Sequence, residues 1–176
     1  ELPGYSLEQI TANGKTYSSI NIGDEGITSE AGFPEIPHIA KVLAIPDRGK
    51  VSVEVLETGT MHVLKDANVP PARENWKEGD PETAYIENTA FYSVGDIYPK
   101  QLSNVEEPSV FRDFRIARVS IFPIRYSPQR NEIEAYSSIT VKVKYESGLG
   151  VNEKTTPNRK IAPTFDKLYR SFIFNY

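Results

Sequence analysis

Short segments in which apolar and polar residues alternate, each ended by proline or glycine, constrain this chain more than any other feature. In "ITVKVKY", every second residue from Ile139 to Tyr145 is apolar and the residues between them are polar. A period of two is that of a β-strand, whose successive side chains point to opposite faces of a sheet. The 13 prolines and 11 glycines break the 176 residues into such short segments. We therefore expect an all-β protein in which Ile139 and Tyr145 face inward.

Two hairpins are predicted from the order of these segments. Asn13-Gly14 stands between two of them and is a dipeptide that favours a tight hairpin turn, after which Ile20 and Ile22 share one face. Further on, "EIEAY" and "SITVKVKYES" are expected to pair with each other. About eight or nine strands, with turn signals roughly every ten residues, favour an antiparallel β-sandwich of the jelly-roll type. A closed barrel is the main alternative.

The C-terminal tail follows a different pattern within what we expect to be one domain over residues 1–176. Residues 147–163, "SGLGVNEKTTPNRKIAP", predict a polar linker. Residues 164–175 predict a short helix with Thr164 as its N-cap, because their apolar side chains recur at helical intervals. These apolar side chains are Phe165, Leu168, Tyr169, Phe172 and Ile173.

Charge and composition argue against several classes of function. The formal net charge of −4 and the pI of about 5.3 disfavour nucleic acid, since phosphates require a basic face. The apolar runs are only a few residues long, so we expect no membrane-spanning segment. No cysteine is present to act as a nucleophile or a thiolate ligand. His38 and His62 lack ligand-like spacing, and we expect neither a metal nor a cofactor.

Residues 61–84 lose the alternation and predict a long excursion between strands. Long loops in compact domains tend to be functional or disordered. Within this one, "NWKEGDPETAY" holds Trp76, the only tryptophan of the chain, beside Lys77. The stretch is therefore either a solvated connection or a surface that contacts something.

Two further functions can be considered from the residues alone. The ten tyrosines could line a platform for sugars, so a carbohydrate-binding or adhesive β-sandwich module is an alternative. A hydrolase with paired carboxylates is less favoured, because the acids mostly occupy loops or the exposed positions of strands.

Two stretches and the tail carry a family resemblance. In "GFPEIPHIAKVLAIP", residues 32–46, a Gly-x-Pro-x-x-Pro segment leads into an apolar strand. Residues 97–145 hold Tyr-Pro, Glu-Pro, Phe-Arg-Asp-x-Arg and Pro-x-x-Tyr-x-Pro in that order, before the closing strands. With the tail "FDKLYRSFIFNY", they resemble the N-terminal prodomain of gingipain-type cysteine peptidases. The resemblance extends over nearly the whole chain.

The resemblance implies a β-sandwich prodomain that covers the active-site cleft of its own secreted peptidase. Such a prodomain keeps the zymogen latent and assists its folding. The catalytic domains of the family use a Cys–His dyad and cut after Arg or Lys, so a chain without cysteine is expected to be non-catalytic. Its expected partner is the catalytic domain of the cognate peptidase, with no nucleic acid and no membrane. Its expected location is bacterial and exported: secreted, periplasmic or at the cell surface.

The resemblance also implies a loop that sends a basic residue into the acidic specificity pocket of the peptidase. The excursion is the natural place for it, with Lys77 as the candidate anchor and Arg73 as the alternative. The two neighbours of Lys77 would add contact area, and the Asp-Pro dipeptide after it would bend the chain away. The predicted inhibitory loop thus comprises Arg73, Trp76, Lys77, Glu78, Asp80 and Pro81.

Overall fold

The computed structural model describes residues 4–75, 77–157 and 159–176, and the statements below concern these residues. Among them are twelve strands and two helices. The strands are β1 (Ser6–Ala12), β2 (Lys15–Asn21), β3 (Gly26–Ile27), β4 (Pro37–Ile45), β5 (Lys50–Thr58), β6 (Met61–Leu64), β7 (Ser103–Val105), β8 (Ser109–Phe111), β9 (Phe114–Ile121), β10 (Ile124–Ser127), β11 (Glu132–Tyr136) and β12 (Ile139–Glu146). The helices are α1 (Thr89–Val94) and α2 (Pro163–Phe172).

The strands form open sheets. β1 pairs with β2, β11 lies between β10 and β6, and β12 pairs with β5. The largest sheet has the order β3-β4-β9-β7, with β8 also on β9. The six pairings with a defined register are all antiparallel. The predicted all-β, antiparallel fold with a short C-terminal helix is therefore confirmed.

Two compact units divide the chain. The first comprises Glu1–Ile39, Thr58–Leu102 and Phe122–Ile139. The second comprises Ala40–Glu57, Ser103–Ile121 and Thr140–Tyr176. The assignment of residues 1–176 to a single prodomain stays a prediction.

The hairpin of β1 and β2 forms where the sequence predicts it. Asn13 and Gly14 have φ angles of 52° and 73°, the left-handed region that a two-residue hairpin turn of this type requires. Ile20 and Ile22 are each 2% exposed and enter the core of the first unit. The core cluster consists of Ile20, Ile22, Ile36, Ala67, Val69, Ile124, Tyr126, Ile133 and Ala135.

The excursion after β6 is partly built into this first unit. Residues 67 and 69–72 are buried, and Val69 belongs to the core. The N–H of Ala72 donates to the carbonyl of Phe33 (2.7 Å), and the N–H of Gly32 donates to the carbonyl of Ala72 (2.9 Å). Ladder-like bonds of this kind fix the backbone of residues 69–72, and the longer exposed stretch, residues 74, 75 and 77–82, follows them.

A buried arginine organises part of the second unit. Arg115 in β9 is 1% exposed and shares its inward face with Ala117 and Val119. Its guanidinium donates to the carbonyls of Pro46 (2.9 Å) and Val151 (2.7 Å). Because Val151 belongs to the predicted polar linker 147–163, the linker is packed at this point, not solvated throughout.

The C-terminal helix lies close to its predicted position. α2 begins at Pro163 and ends at Phe172, whereas residues 164–175 were expected. Proline is well suited to the first turn, where its missing N–H costs no helical bond. The N-cap is Ala162, which makes no side-chain cap bond, so Thr164 lies inside the helix.

The chain leaves the helical conformation at Ile173 because its last residues pair with β4. Ile173 forms a parallel bridge with Val42, and the N–H of Phe174 donates to the carbonyl of Val42 (2.8 Å). Both bonding groups of the Asn175 side chain reach the backbone of Ala44.

Two further details of the sequence-based interpretation are wrong, and one helix was missed. "EIEAY" and "SITVKVKYES" do not pair with each other: the first becomes β11, between β10 and β6, and the second becomes β12, beside β5. Tyr145 is 47% exposed and does not face inward. α1 was not predicted, although Asn88 caps it by accepting a hydrogen bond from the N–H of Phe91 (3.1 Å).

Candidate partner-binding loop

Residues 73–85 form a loop whose two arms are cross-linked. Nη1 of Arg73 donates to Oε2 of Glu82 over 2.6 Å, and the hydroxyl of Thr83 donates to the carbonyl of Glu74 over 2.6 Å. Each link spans nine residues. The arms are thus held together at the base, while Lys77, Glu78, Asp80 and Pro81 are exposed between them.

Arg73 is engaged at the base of this loop. Its side chain is only 20% exposed, and its guanidinium carbon lies 4.9 Å from the centre of the Tyr85 ring, a cation–π arrangement. The hydrogen bond to Glu82 raises the pKa of Arg73 above its ordinary value. Burial raises the pKa of Glu35, and the nearby Arg73 opposes that shift.

The tip of the loop is a tight turn. The N–H of Asp80 donates to the carbonyl of Lys77 over 3.0 Å. Gly79 has φ of +93°, a value that glycine adopts without strain, and a Cβ built on it would meet no atom within 4 Å. Lys77, Glu78, Asp80 and Pro81 are all exposed, so the described tip residues stand in open space.

Lys77 and Arg73 differ sharply in what surrounds them. Within the described residues the ammonium group of Lys77 has no hydrogen-bond or ion-pair partner, whereas the guanidinium of Arg73 is bonded to Glu82 and lies over an aromatic ring. Of the two predicted anchors, Lys77 is therefore the cation that the loop presents outward. Trp76 lies outside the described residues, and its expected contribution to contact area stays a prediction.

The hairpin of β1 and β2 supports the returning arm of the loop. Nδ2 of Asn13 donates to the carbonyl of Tyr85 (2.6 Å), and the ring of Tyr17 stacks on that of Tyr85 at 6.3 Å between centres. Two residues further along the arm, Glu87 accepts from Lys15 (2.6 Å) and from the hydroxyl of Tyr17 (2.9 Å). The base of the loop is thereby attached to a regular element of the first unit.

Sequence reasoning missed three members of this arrangement: Glu82, Thr83 and Tyr85. One signal was available for Glu82, because opposite charges nine residues apart flank a stretch that contains Gly and Asp-Pro. The backbone acceptor of Thr83 and the ring contact of Tyr85 leave no signature in residue type or spacing.

The other candidate sites find little support. Among the residues described, no group of three or more His, Asp or Glu side chains could hold a metal ion. Tyr17, Tyr126 and Tyr169 are buried with 0–1% exposure. The exposed tyrosines of the described residues share no element: Tyr5 precedes β1, Tyr145 lies in β12 and Tyr176 follows α2, which does not favour a shared sugar platform. His38 is buried beside Phe122, with ring centres 5.6 Å apart, as expected for a core histidine.

Neither α1 nor α2, the helices of the described ranges, has the length and apolar character that crossing a membrane requires.

Comparison with known proteins assigns the chain to a family. The sequence matches the Propeptide_C25 family over residues 5–176. Lys-gingipain of Porphyromonas gingivalis is 26% identical over 176 residues, covering 96% of this chain and 10% of that protein. Gingipain R1 of the same species is 27% identical over 154 residues, covering 86% of this chain and 15% of the relative. The chain thus spans only a small part of the length of these relatives.

Solved structures show the same fold. A complex of the pro- and mature domains of RgpB from P. gingivalis has a TM-score of 0.86 at 20% identity, covering 99% of this chain and 89% of the matched chain. A structure of gingipain K from P. gingivalis, described as an insight into zymogenic latency, has a TM-score of 0.68 at 24% identity. It covers 81% of both chains.

The chain therefore is a propeptide domain and belongs to the Propeptide_C25 family. The predicted resemblance to gingipain-type prodomains is confirmed. Because the family match covers the propeptide and the sequence holds no cysteine, the chain is the non-catalytic part of such a precursor.

Proposed function

We propose that this chain is an inhibitory and folding-assisting prodomain. It covers the active-site cleft of the gingipain-type cysteine peptidase of its own precursor, called the cognate peptidase below, and keeps it latent. Membership of a propeptide family and the gingipain relatives support this function. With its peptidase, the chain is exported to the periplasm, the cell surface or the medium.

Lys77 is the proposed anchor in the specificity pocket. The observation that carries this assignment is its exposed ammonium group at the loop tip, without a partner in the described part of the chain. A cation that enters a pocket with a buried carboxylate gains charge-assisted hydrogen bonds and loses none from its own protein. Such a residue at the centre of an interface acts as a hot spot.

Arg73 is less suited to this role. To enter a pocket it would have to break its 2.6 Å bond to Glu82 and leave the ring of Tyr85. Those losses would offset part of the binding free energy that Arg73 could gain in the pocket. Trp76, Glu78, Asp80 and Pro81 would then supply contact area around the anchor, within an interface of about 1,600 Å² if it has the usual size.

Inhibition of the cognate peptidase by the purified chain tests the proposal. We expect Lys77→Ala to raise the inhibition constant at least about tenfold, which corresponds to roughly 1.4 kcal/mol. Lys100→Ala, at an exposed lysine of the same unit, is the matched control and should inhibit as wild type does. If Lys77→Ala and Arg73→Ala both inhibit as well as wild type, the anchor model is wrong.

Folding assistance is tested separately. The denatured catalytic domain is diluted into buffer with or without an equimolar amount of this chain, and the recovered peptidase activity is measured after the chain has been removed. The proposal expects a higher yield when the chain is present during refolding. An equal yield would restrict its role to inhibition.

A further inference from the structure

We propose that Arg73 and Glu82 are positioning residues that hold the tip of the loop in its turn conformation, so that the loop blocks its peptidase without becoming a substrate. The inference rests on the proposed function, since it concerns the same loop. It concerns the ion pair of Arg73 and Glu82 at the base of the loop, whose role is to position the loop, whereas the proposed role of Lys77 at the tip is to bind the pocket.

A blocking loop of this kind faces a specific difficulty. The proposed peptidase cuts after Arg or Lys, and an exposed loop tip with a lysine is where proteolytic nicking concentrates. Hydrolysis would add water across the Lys77–Glu78 peptide bond, leaving a carboxylate on Lys77 and a free amine on Glu78. A loop that opened readily would therefore be cut, and its inhibition would be transient.

The turn opposes cleavage in two ways. The carbonyl of Lys77 already accepts the N–H of Asp80 at 3.0 Å, whereas hydrolysis requires that oxygen to accept bonds from the oxyanion-stabilising donors of an enzyme. A peptide that pairs with an enzyme as an added strand must also be extended, and residues 77–80 are folded back on themselves. Cleavage would thus require the turn to open first.

The base of the loop sets how easily the turn opens. Arg73 and Glu82 join the arms at 2.6 Å, and Thr83 joins them again at Glu74. The ring of Tyr85 beneath Arg73 is stacked on Tyr17 of β2, so the pair is attached to an ordered frame. A loop held in its bound shape loses less conformational freedom on binding, which strengthens inhibition as well as resistance to cutting.

A charge-swap cycle tests the role of the pair. The variants are Arg73→Glu, Glu82→Arg and the double variant that carries both changes. Each single variant places like charges at the base, while the double variant restores an ion pair in reversed order. Arg118→Glu, which reverses a charge in the exposed pair of Arg118 with Glu106 (3.3 Å), is the matched control.

Three measurements are made on each variant. They are amide exchange of the peptide spanning residues 77–80 in the free chain, the inhibition constant against the cognate peptidase, and the rate of cleavage between Lys77 and Glu78 by mass spectrometry. We expect each single variant to exchange its amides faster, to have a higher inhibition constant and to be cleaved faster, each by about fivefold to tenfold. The double variant should recover to within about threefold of wild type, and Arg118→Glu should match wild type.

The outcomes separate this inference from the function on which it rests. If wild type inhibits and Lys77→Ala weakens inhibition, yet the single charge variants exchange and are cut like wild type, the positioning role is wrong. Single variants that lose inhibition without recovery in the double variant would also overturn it, because that pattern indicates that Arg73 itself enters the pocket. A wild-type chain that does not inhibit at all refutes the proposed function instead. Thermal unfolding of every variant confirms that it is folded.

Discussion

The hydroxyl of Tyr169 donates a hydrogen bond of 2.5 Å to Oδ2 of Asp113, across 56 positions of the sequence. The same carboxylate pairs with Arg159 at 3.1 Å and with Arg112 at 3.3 Å. Asp113 belongs to the Phe-Arg-Asp-x-Arg stretch that carries the family resemblance. One short motif, at the connection of β8 and β9, therefore attaches both the segment before α2 and α2 itself to the second unit.

Removal of the Tyr169 side chain should destabilise the second unit strongly. Tyr169 is fully buried, and Phe111, Phe114, Phe165 and Phe172 all contact its ring. We expect Tyr169→Ala to lower the free energy of unfolding by about 3–5 kcal/mol in urea titration. Tyr169→Phe, which loses only the hydroxyl bond, should cost about 1–3 kcal/mol. The exposed Tyr145→Ala serves as control, and an equal loss there would contradict this ranking.

Acid should weaken the second unit through Asp113. The hydrogen bond from Tyr169, followed by the charges of Arg112 and Arg159, holds the pKa of Asp113 below its ordinary value of 3.8. A carboxylate with a lowered folded-state pKa contributes stability above 3.8 that is lost as the pH falls through the folded-state pKa. We expect the unfolding midpoint of Asp113→Asn to be lower at neutral pH and to depend less on pH below about pH 4. Identical pH dependence in the two proteins would show that other carboxylates, such as Asp166, dominate.

Alkali should weaken the first unit through its buried tyrosines. Burial raises the pKa of Tyr17 from 10.0 to about 12, with a further contribution from Glu87, and burial raises that of Tyr126 to about 12. A group with a raised folded-state pKa leaves stability intact below pH 10 and removes it as the pH rises from about 10 through about 12. Circular dichroism should show unfolding in that window. Tyr17→Phe should unfold less steeply there, while the exposed Tyr145→Phe should follow wild type.

Arg115→Leu should also destabilise the second unit. The substitution leaves the carbonyls of Pro46 and Val151 without the donor that each now has at 2.9 and 2.7 Å. Because Pro46 and Val151 are themselves exposed, water can replace part of what each carbonyl loses, and we expect a loss of roughly 1–3 kcal/mol in chemical denaturation. Arg118→Leu changes an exposed arginine of the same strand and should cost well under 1 kcal/mol by the usual range for surface sites. Comparable losses for the two variants would argue against the bridging role of Arg115.

Lys77→Arg should shift the preference of the chain among peptidases. Lys-gingipain and gingipain R1 of P. gingivalis are suitable probes, because both are relatives of this chain. A guanidinium reaches further than an ammonium and forms planar paired bonds with a carboxylate, so the two cations are not equivalent in a pocket. We expect the ratio of the two inhibition constants to change at least about fivefold in favour of gingipain R1. An unchanged ratio would mean that the residue at position 77 does not enter the pocket.

Local patterns predicted the local parts of this fold. Asn13-Gly14 specified its own hairpin, and the period of two placed Ile20 and Ile22 in the core. Helical spacing located α2 to within a few residues, because it depends on side chains that are close in sequence. These features need no knowledge of what packs against them.

Partners distant in sequence could not be predicted in this way. β12 pairs with β5, about ninety residues earlier, and the alternation of apolar and polar residues in either strand does not specify which strand lies beside it. Lys154 in the predicted polar linker is 4% exposed, because Asp47 and the carbonyl of Thr156 accept hydrogen bonds from its ammonium group. Residue type predicts exposure for a lysine unless such acceptors are provided by the tertiary structure.

The candidate loop likewise has features that the sequence predicted and features that it did not. Charge and the position of the excursion were enough to select Lys77 and Arg73 as candidates. Their surroundings, which favour Lys77 as the proposed anchor, could be seen only in the structure, because they depend on Glu82 and Tyr85 at the base and on open space at the tip.

Selection for folding and selection for binding a peptidase act on different residues of this chain, because the tip around Gly79 stands in open space. Residues 69–72 are fixed by the core, but the side chains of Lys77, Glu78 and Asp80 are exposed, so replacing one of them should have little effect on folding. A precursor whose peptidase drifted to a new cleavage preference could restore latency by a single codon change at the tip. The same property makes the tip replaceable: other sequences can be grafted between Glu74 and Glu82, with the Arg73–Glu82 pair kept, to seek inhibitors of other peptidases.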